Sequence, residues 1–327
     1  MRQAMAHAMC VHTPGGPEAM IWEEIDIAAP GAGEVLVHNE AIGLNFLDVY
    51  FRSGRYPMPT PFVVGHEGAG VIEAVGAGVS DFAVGDRVAY LDPIGAYAQL
   101  LLRPASRLVK VPPQIDAVAA ASMLLKGVTA EYLVRRTYEV RPGDTILVHA
   151  AAGGVGQILC QWANALKATV IGTVSSAAKR ELAKEAGCAH VIISSEEDVV
   201  ARVRELTNGK GVPVVYDGVG KDTFAKSLDC LAPRGLMVAF GAASGPIPPL
   251  DVQSLAGKGS LYVTRPGIAT YTKTTEELRE SASALFDIVA SGVVKVRPPR
   301  TYALADAAQA HADLEGRKLS GSTVLLP

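Results

Sequence analysis

The chain has 327 residues, 49% hydrophobic and 19% charged, enough apolar material for about two domains of roughly 100–200 residues each and too much for a disordered polypeptide. Its 30 Lys and Arg against 33 Asp and Glu leave a net charge of −3, with no basic excess to neutralise a run of phosphates, so nucleic acid is not expected as the main partner. No stretch approaches the ~18–20 unbroken apolar residues of a spanning helix, and the first residues are too short and interrupted a run for a secretion signal. Cys10, Cys160, Cys188 and Cys230 are scattered without C-x-x-C spacing. Neither a disulfide scaffold nor a structural zinc site is expected, and a reducing cytoplasm is the natural setting.

Residues 1–125 carry short β-branched runs such as Glu34–Val37 and Gly70–Val75, broken by turn residues at Gly76-Ala77-Gly78 and Val84-Gly85-Asp86. That pattern predicts a compact barrel or sandwich. Residues 126–263 alternate instead. Strands are expected at Thr145–His149, Thr169–Val174, Val191–Ile193, Val214–Asp217 and Leu236–Phe240, with one more at Gly259–Thr264. Helices are expected between them at Val155–Leu166, Ala177–Ala186, Glu196–Thr207 and Lys221–Cys230. Such alternation predicts βαβ units and an α/β, doubly wound parallel sheet. Residues 264–327 hold an amphipathic helix, Thr275–Ser291, with Leu278, Ala282, Leu285, Ile288 and Val289 on one face. A last strand-like run, Ser322–Leu326, is expected to rejoin the first block.

The strongest local signal is Ala150-Ala151-Ala152-Gly153-Gly154-Val155-Gly156, between a predicted strand and a predicted helix. Against G-x-G-x-x-G it matches at Gly153 and Gly156 and carries Ala151 in the first place. Small residues there let the backbone turn tightly and approach a pyrophosphate, and the helix start offers free N–H groups. An ordinary small-residue turn is the alternative, but the elements that follow favour dinucleotide binding. An NAD site places a carboxylate about 20 residues after the turn. Here the chain reads Gly172-Thr173-Val174-Ser175-Ser176-Ala177-Ala178-Lys179-Arg180, hydroxyls and cations that suit a 2′-phosphate. NADPH is therefore the expected cofactor; a Ser helix cap with solvated charges is the alternative.

Val64-Gly65-His66-Glu67-Gly68-Ala69-Gly70-Val71, Val75-Gly76-Ala77-Gly78-Val79 and Val84-Gly85-Asp86-Arg87-Val88 resemble the signature of the medium-chain dehydrogenase/reductase superfamily. Ala41-Ile42-Gly43-Leu44-Asn45-Phe46-Leu47-Asp48, Leu124-Leu125-Lys126-Gly127-Val128-Thr129-Ala130 and the glycine turn narrow the resemblance to its NADPH:quinone oxidoreductase, zeta-crystallin-like branch. The match runs end to end, through Gly259–Pro266. It implies a GroES-like catalytic domain from 1–125, completed by 264–327, a Rossmann domain from 126–263, a cofactor in the cleft between them, and a homodimer. Zinc members of the superfamily use a Cys where Asn45 stands, a His in the G-H-E motif, and a third ligand near Lys126. Only His66 survives here, and catalytic zinc needs three protein ligands, so no metal is expected. The four-Cys structural lobe is also missing.

The resemblance further implies that Asn45, Asp48, Tyr50 and Tyr56 line the nicotinamide and substrate region, with Phe46 contributing wall contacts. Lys126, Thr129 and Tyr132 would meet cofactor from the helix entering the second domain. Gly153, Gly154 and Val155 would meet the pyrophosphate, and Ser175, Ser176 and Lys179 the 2′-phosphate. Ser194 stands where some members carry an adenine-side Tyr. Val219, Phe240, Gly241 and Ser244 follow strand ends, where doubly wound sheets bind ligands. Thr264, Arg265, Pro266 and Arg317 complete the set. Each has a plain capping or packing role as its alternative, and His66 is expected to be structural. The function implied is zinc-independent, NADPH-dependent quinone reduction. An enone or alkenal reductase is the alternative enzyme, and a cofactor-binding structural or RNA-binding protein the alternative outside enzymes.

Overall fold

The computed structural model describes residues 4–327. The chain divides into two units: one runs up to Leu125 and takes in Thr274–Ala282 and Val296–Pro327, the other is Lys126–Lys273 with Ser283–Lys295.

In chain order the first unit begins with β1 (Ala4–Val11), β2 (Met20–Ile27), β3 (Glu34–Gly43), the short helix α1 (Phe46–Arg52), β4 (Phe62–Val63), β5 (Glu67–Val75), β6 (Arg87–Tyr90), β7 (Leu100–Pro104) and β8 (Val109–Lys110). Helix α2 (Ala117–Tyr132) carries the chain into the second unit and is extended by a π turn, Leu133–Thr137. Among the described residues Ala117–Thr137 is the helix long and apolar enough to cross a membrane, yet 83% of its most apolar window is buried within the protein. It is a core helix. There follow β9 (Thr145–Val148), α3 (Gly154–Ala165), β10 (Thr169–Val174), α4 (Arg180–Glu185), β11 (His190–Ile193), α5 (Val199–Leu206), β12 (Val212–Asp217), α6 (Phe224–Cys230), β13 (Leu231–Ala239), α7 (Gln253–Gly257), β14 (Tyr262–Thr264) and α8 (Ile268–Tyr271). The chain ends with α9 (Thr275–Ala290), β15 (Arg300–Ala303), α10 (Ala307–Glu315) and β16 (Thr323–Leu326).

The second unit is a six-stranded sheet in the order β11-β10-β9-β12-β13-β14, parallel at every pairing. The order reverses between β9 and β12, which makes their C-terminal ends the ligand-binding crevice of such a sheet. The first unit has a three-stranded sheet, β2-β1-β4, and a seven-stranded one, β15-β16-β3-β5-β6-β8 with β7 on β3. Its core gathers Val35, Val37, Ile72, Val88, Tyr90, Tyr97 and Leu325. β16 pairs antiparallel with β3, so the tail completes this unit.

The tail differs from the sequence reading in one respect. Residues 264–273 and Ser283–Lys295 group with the second unit, because β14 extends the parallel sheet through Thr264 and Leu285 packs so tightly on Gly127 that a Cβ there would collide with it. Local competition shifts some element ends. α5 starts at Val199 rather than Glu196 because Asp198 accepts from the Ala201 N–H at 3.0 Å while Glu197 caps the Ile193 N–H at 2.9 Å. α6 starts at Phe224 rather than Lys221 because Gly220–Thr223 form a turn fastened to Asp217. β13 begins at Leu231, five residues early, by pairing Leu231 with Val212 across a bulge.

β5 can cross β3 closely only at a glycine. A Cβ on Gly70 would strike the His38 carbonyl oxygen and lie 2.9 Å from Asn39 Cα. Backbone cannot yield as a side chain can, so Gly70→Ala is expected to cost roughly 1–3 kcal/mol. A lowered urea midpoint at unchanged m-value would show this; an unchanged midpoint would contradict it.

Candidate functional site

In the first unit, Asn45 ends β3's extension and caps α1. Its N–H donates to Asp48 Oδ2 at 2.9 Å and its Nδ2 to Glu67 Oε2 at 2.9 Å. Glu67 Oε1 accepts the Leu125 N–H at 2.7 Å. Asp48 is fully buried. Besides Asn45, its carboxylate meets His66 Nδ1 at 2.8 Å and accepts from the Tyr97 hydroxyl at 3.2 Å. Tyr97 also meets His311 Nε2 at 3.0 Å, and His311 Nδ1 lies 3.3 Å from Arg52 Nη1. Arg52 reaches Glu315 at 2.7 Å. Both Asp48 oxygens are thus used inside the protein, so this residue orients Asn45 and His66 and presents no oxygen of its own. Beside this network the Tyr50 and Tyr56 rings meet edge-on at 5.3 Å, and Phe51 packs on Tyr56 at 5.5 Å and on His66 at 4.8 Å. Phe46 is half-buried at the start of α1, and Arg317 is exposed just beyond α10, in a left-handed conformation at φ 58°.

In the second unit, β9 ends in the turn Ala150–Gly153. Gly153 stands at the N-cap of α3, and no side chain caps this helix. The first N–H groups of α3 are therefore left for a ligand, with the positive end of the helix dipole behind them. Gly156 brings α3 onto the sheet: a Cβ there would strike the Ala150 carbonyl oxygen and lie 2.9 Å from Ala151 Cα. This uncapped helix start against strand ends is the cradle a pyrophosphate takes.

At the end of β10, Ser175 is exposed while Ser176 and Lys179 are half-buried. Among the described residues none of these three side chains makes a hydrogen bond or ion pair, and the Nε of neighbouring Arg180 is buried without a partner. Three donors beside a guanidinium whose Nε is unsatisfied suit an added phosphate. The Ser194 hydroxyl instead donates to the Val174 carbonyl at 3.1 Å, tying β11 to β10. The Ser244 hydroxyl likewise holds a loop, donating to the Val219 carbonyl at 2.8 Å and accepting the Asp222 N–H at 3.0 Å. Phe240 lies over Gly218, and Gly241 packs against the same residue. Thr264 pairs with Val238 in the sheet, the following Arg265 donates to the Ala239 carbonyl at 2.6 Å, and Pro266 is buried. Lys126, Thr129 and Tyr132 are all buried, with Tyr132 stacked on Tyr271 at 4.3 Å.

The sequence reading did not single out two sets of residues that shape these sites. One is the chain Arg52, Tyr97 and His311 behind Asp48. The other is Asp217, fully buried at the end of β12, which accepts from the Val219 N–H at 2.8 Å, the Gly220 N–H at 3.0 Å, Thr223 at 2.8 Å and Ser227 at 2.9 Å. Ser227 in turn meets His149 Nε2 at 3.0 Å, whose Nδ1 meets Thr173 at 2.9 Å. This network fixes the ends of β9, β10 and β12 together. Its one legible sign is an Asp at a strand end followed by Gly218-Val219-Gly220.

Burial holds His311 at about 4, with Arg52 adding to the effect and Asp48 opposing it. The folded-state value lies below that of an unfolded His, near 6.5. The unfolded chain therefore binds the extra proton first, and the His311 contribution is complete above pH 6.5 and declines as pH falls toward 4. Burial lowers His149 in the same direction. His311→Gln is expected to remove part of the stability loss between pH 6.5 and 4, of order 3 kcal/mol at most. Urea midpoints that fall as steeply in the variant as in the parent would contradict this.

Two family models match the chain: "Alcohol dehydrogenase GroES-like domain" over residues 31–113 and "Zinc-binding dehydrogenase" over residues 154–287. The chain is 53% identical to a quinone oxidoreductase of Pseudomonas aeruginosa, over 96% of this chain and 97% of that one. It is 49% identical to a 2-haloacrylate reductase of a Burkholderia species, over 99% of each. The solved structure of the Escherichia coli quinone oxidoreductase complexed with NADPH matches at a TM-score of 0.96 and 47% identity, over 99% of this chain and 100% of that one.

The second family description names zinc, and the donors present do not fit it. Position 45 carries an amide, Asp48 is shared among Asn45, Tyr97 and His66, and Glu67 is taken by Asn45 and Leu125. Among the described residues no group of three His, Cys, Asp or Glu converges to hold a metal ion. With its GroES-like and parallel-sheet units and these full-length relatives, the chain belongs to the quinone oxidoreductase family of the medium-chain dehydrogenase/reductase superfamily.

Proposed function

We propose that this protein is an NADPH:quinone oxidoreductase that works without a metal. The observation that carries the reading is the pairing, in a member of this family, of an uncapped α3 start with unpartnered Ser175, Ser176 and Lys179 at the end of the next strand. A carboxylate there would repel a 2′-phosphate, and none stands in the stretch from Gly172 to Arg180.

NADPH, when bound, supplies the hydride. The chain's own residues bind and orient. Gly153, Gly154 and Val155 present backbone N–H groups to the pyrophosphate, and Ser175, Ser176 and Lys179 take the 2′-phosphate. Asp217 pins the Val219 loop, and Ser244 holds it from the other side. Asn45, fixed by Asp48 and Glu67, offers a polar group beside the aromatic surface of Tyr50, Phe51 and Tyr56. Holding both reactants in register can supply ~7–11 kcal/mol of the barrier in favourable cases. The 2-haloacrylate reductase relative supports a second reading, in which the hydride goes to a conjugated carbon of an enone. The open edge of β14, with Tyr262 exposed on it, supports the homodimer expected from the family, and four buried free thiols are in keeping with the cytoplasm.

Oxidation of NADPH and NADH with a panel of quinones and enones, with and without chelator, tests the reading. Chelator-insensitive quinone turnover that prefers NADPH is expected; turnover of enones alone would favour the second reading. Lys179→Ala should weaken NADPH binding by roughly tenfold or more while leaving NADH nearly unaffected, since a charged hydrogen bond contributes about 1.5–3 kcal/mol. Equal losses for both cofactors would contradict the 2′-phosphate assignment.

A further inference from the structure

Resting on the quinone reductase reading, we propose that His66 delivers the proton consumed in quinone reduction, held for that task by a buried hydrogen-bonded chain through Asp48, Tyr97, His311 and Arg52. The stoichiometry demands such a donor. Hydride transfer leaves the displaced electron pair of the quinone π system on a carbonyl oxygen, and a hydroquinone forms only when that oxygen gains a proton. The step uses the His66 imidazolium, with both ring nitrogens protonated: its Nε2–H bond breaks as the O–H bond forms, the electron pair stays on Nε2, and the neutral ring left with its proton on Nδ1 regains the second proton from solvent.

The direction of every hydrogen bond in the chain follows from its chemistry. A guanidinium only donates, so His311 Nδ1 accepts from Arg52 at 3.3 Å. The proton of neutral His311 then sits on Nε2 and is donated to the Tyr97 oxygen at 3.0 Å. The Tyr97 hydroxyl has one hydrogen, which it gives to Asp48 Oδ2 at 3.2 Å. Asp48 Oδ1 is left to accept from His66 Nδ1 at 2.8 Å. A carboxylate on one ring nitrogen fixes the tautomer and leaves the other for proton transfer. That other atom, Nε2, makes no hydrogen bond among the described residues and is not among the buried atoms left without a partner, so it is open to solvent or to a ligand. His66 itself is only 5% exposed, so little of the ring meets solvent.

The surroundings suit the substrate class. The His66 ring packs on Phe51 at 4.8 Å, Phe51 on Tyr56 at 5.5 Å and Tyr56 on Tyr50 at 5.3 Å, an aromatic surface for a flat ring. Burial at about 4 keeps His311 neutral at physiological pH, as the chain requires. Asp48 on α1 is the charged group in direct contact with His66, and Glu67 follows His66 in the chain at the start of β5. Asp48, Tyr97, His311 and Arg52 are positioning residues that act through His66.

His66→Asn tests the proposal, because an Asn amide can still donate to Asp48 while Nε2 is lost. With benzoquinone near pH 7, kcat should fall by about 100-fold, the effect of losing a general acid, with NADPH affinity measured by fluorescence unchanged. Added imidazole should restore much of the rate. Tyr97→Phe, which cuts the chain behind Asp48, should lower kcat by a smaller factor without changing NADPH affinity, and imidazole should not restore it. A His66→Asn enzyme that turns over at the parent rate, or that loses activity without rescue by imidazole, would overturn the proposal. A parent protein that oxidises no NADPH with any quinone would overturn the functional reading and this inference with it.

Discussion

Helix α3 and the turn before it can lie against the parallel sheet only because positions 156 and 172 carry no side chain. A Cβ on Gly156 would strike the backbone of the β9 turn, and one on Gly172 would lie 2.8 Å from Ala151 Cβ and 2.6 Å from Cys188 Sγ. That close approach places the start of α3 at the ends of β9 and β10. Gly153 at the N-cap leaves the first turn of α3 without a capping side chain, so its unsatisfied N–H groups stand at the strand ends where the strand order reverses. Close packing at Gly156 and the bare N-cap at Gly153 together make the site.

Both units organise their sites around a fully buried carboxylate, Asp48 in one and Asp217 in the other. A buried charge is costly unless its lone pairs are all met. Asp217 meets this with two backbone N–H groups and the hydroxyls of Thr223 and Ser227, and so locks the Val219 loop. Asp48 meets it with a backbone N–H, a phenol and an imidazole, and so orients Asn45 and His66. In each case the satisfaction of a core carboxylate fixes the groups that would touch a ligand. The difference lies in what is fixed: backbone at the cofactor-binding sheet, side chains with exchangeable protons in the GroES-like unit.

The parallel sheet was legible because β9, β10 and β12 are buried on both faces and read as near-continuous apolar runs. The glycine turn and the absence of a carboxylate after β10 were legible for the same reason: each is a local requirement written in adjacent residues. The buried networks were not. Asp48, Tyr97 and His311 are brought together across separations of 49 and 214 residues, and no local pattern marks a Tyr or His as a partner of a distant carboxylate. α10 was missed because Ala307–Glu315 turns His311 and Asp313 inward with its alanines, which blurs the apolar stripe that announces a helix. Ser194 and Ser244 sit at the expected strand ends, but their hydroxyls serve neighbouring backbone, a commitment that residue type alone does not reveal. The Asp48–His66 contact was not legible, because the two residues stand 18 positions apart on different segments.

In the proposed reaction this chain passes a hydride from NADPH to a quinone with no metal taking part. The most direct test is single-turnover oxidation of NADPH, deuterated at the transferred position, by benzoquinone on exhaustively chelated protein. A rate unaffected by chelation and slowed by deuterium is expected. A rate abolished by chelation and restored by zinc, or no oxidation of bound NADPH at all, would contradict it.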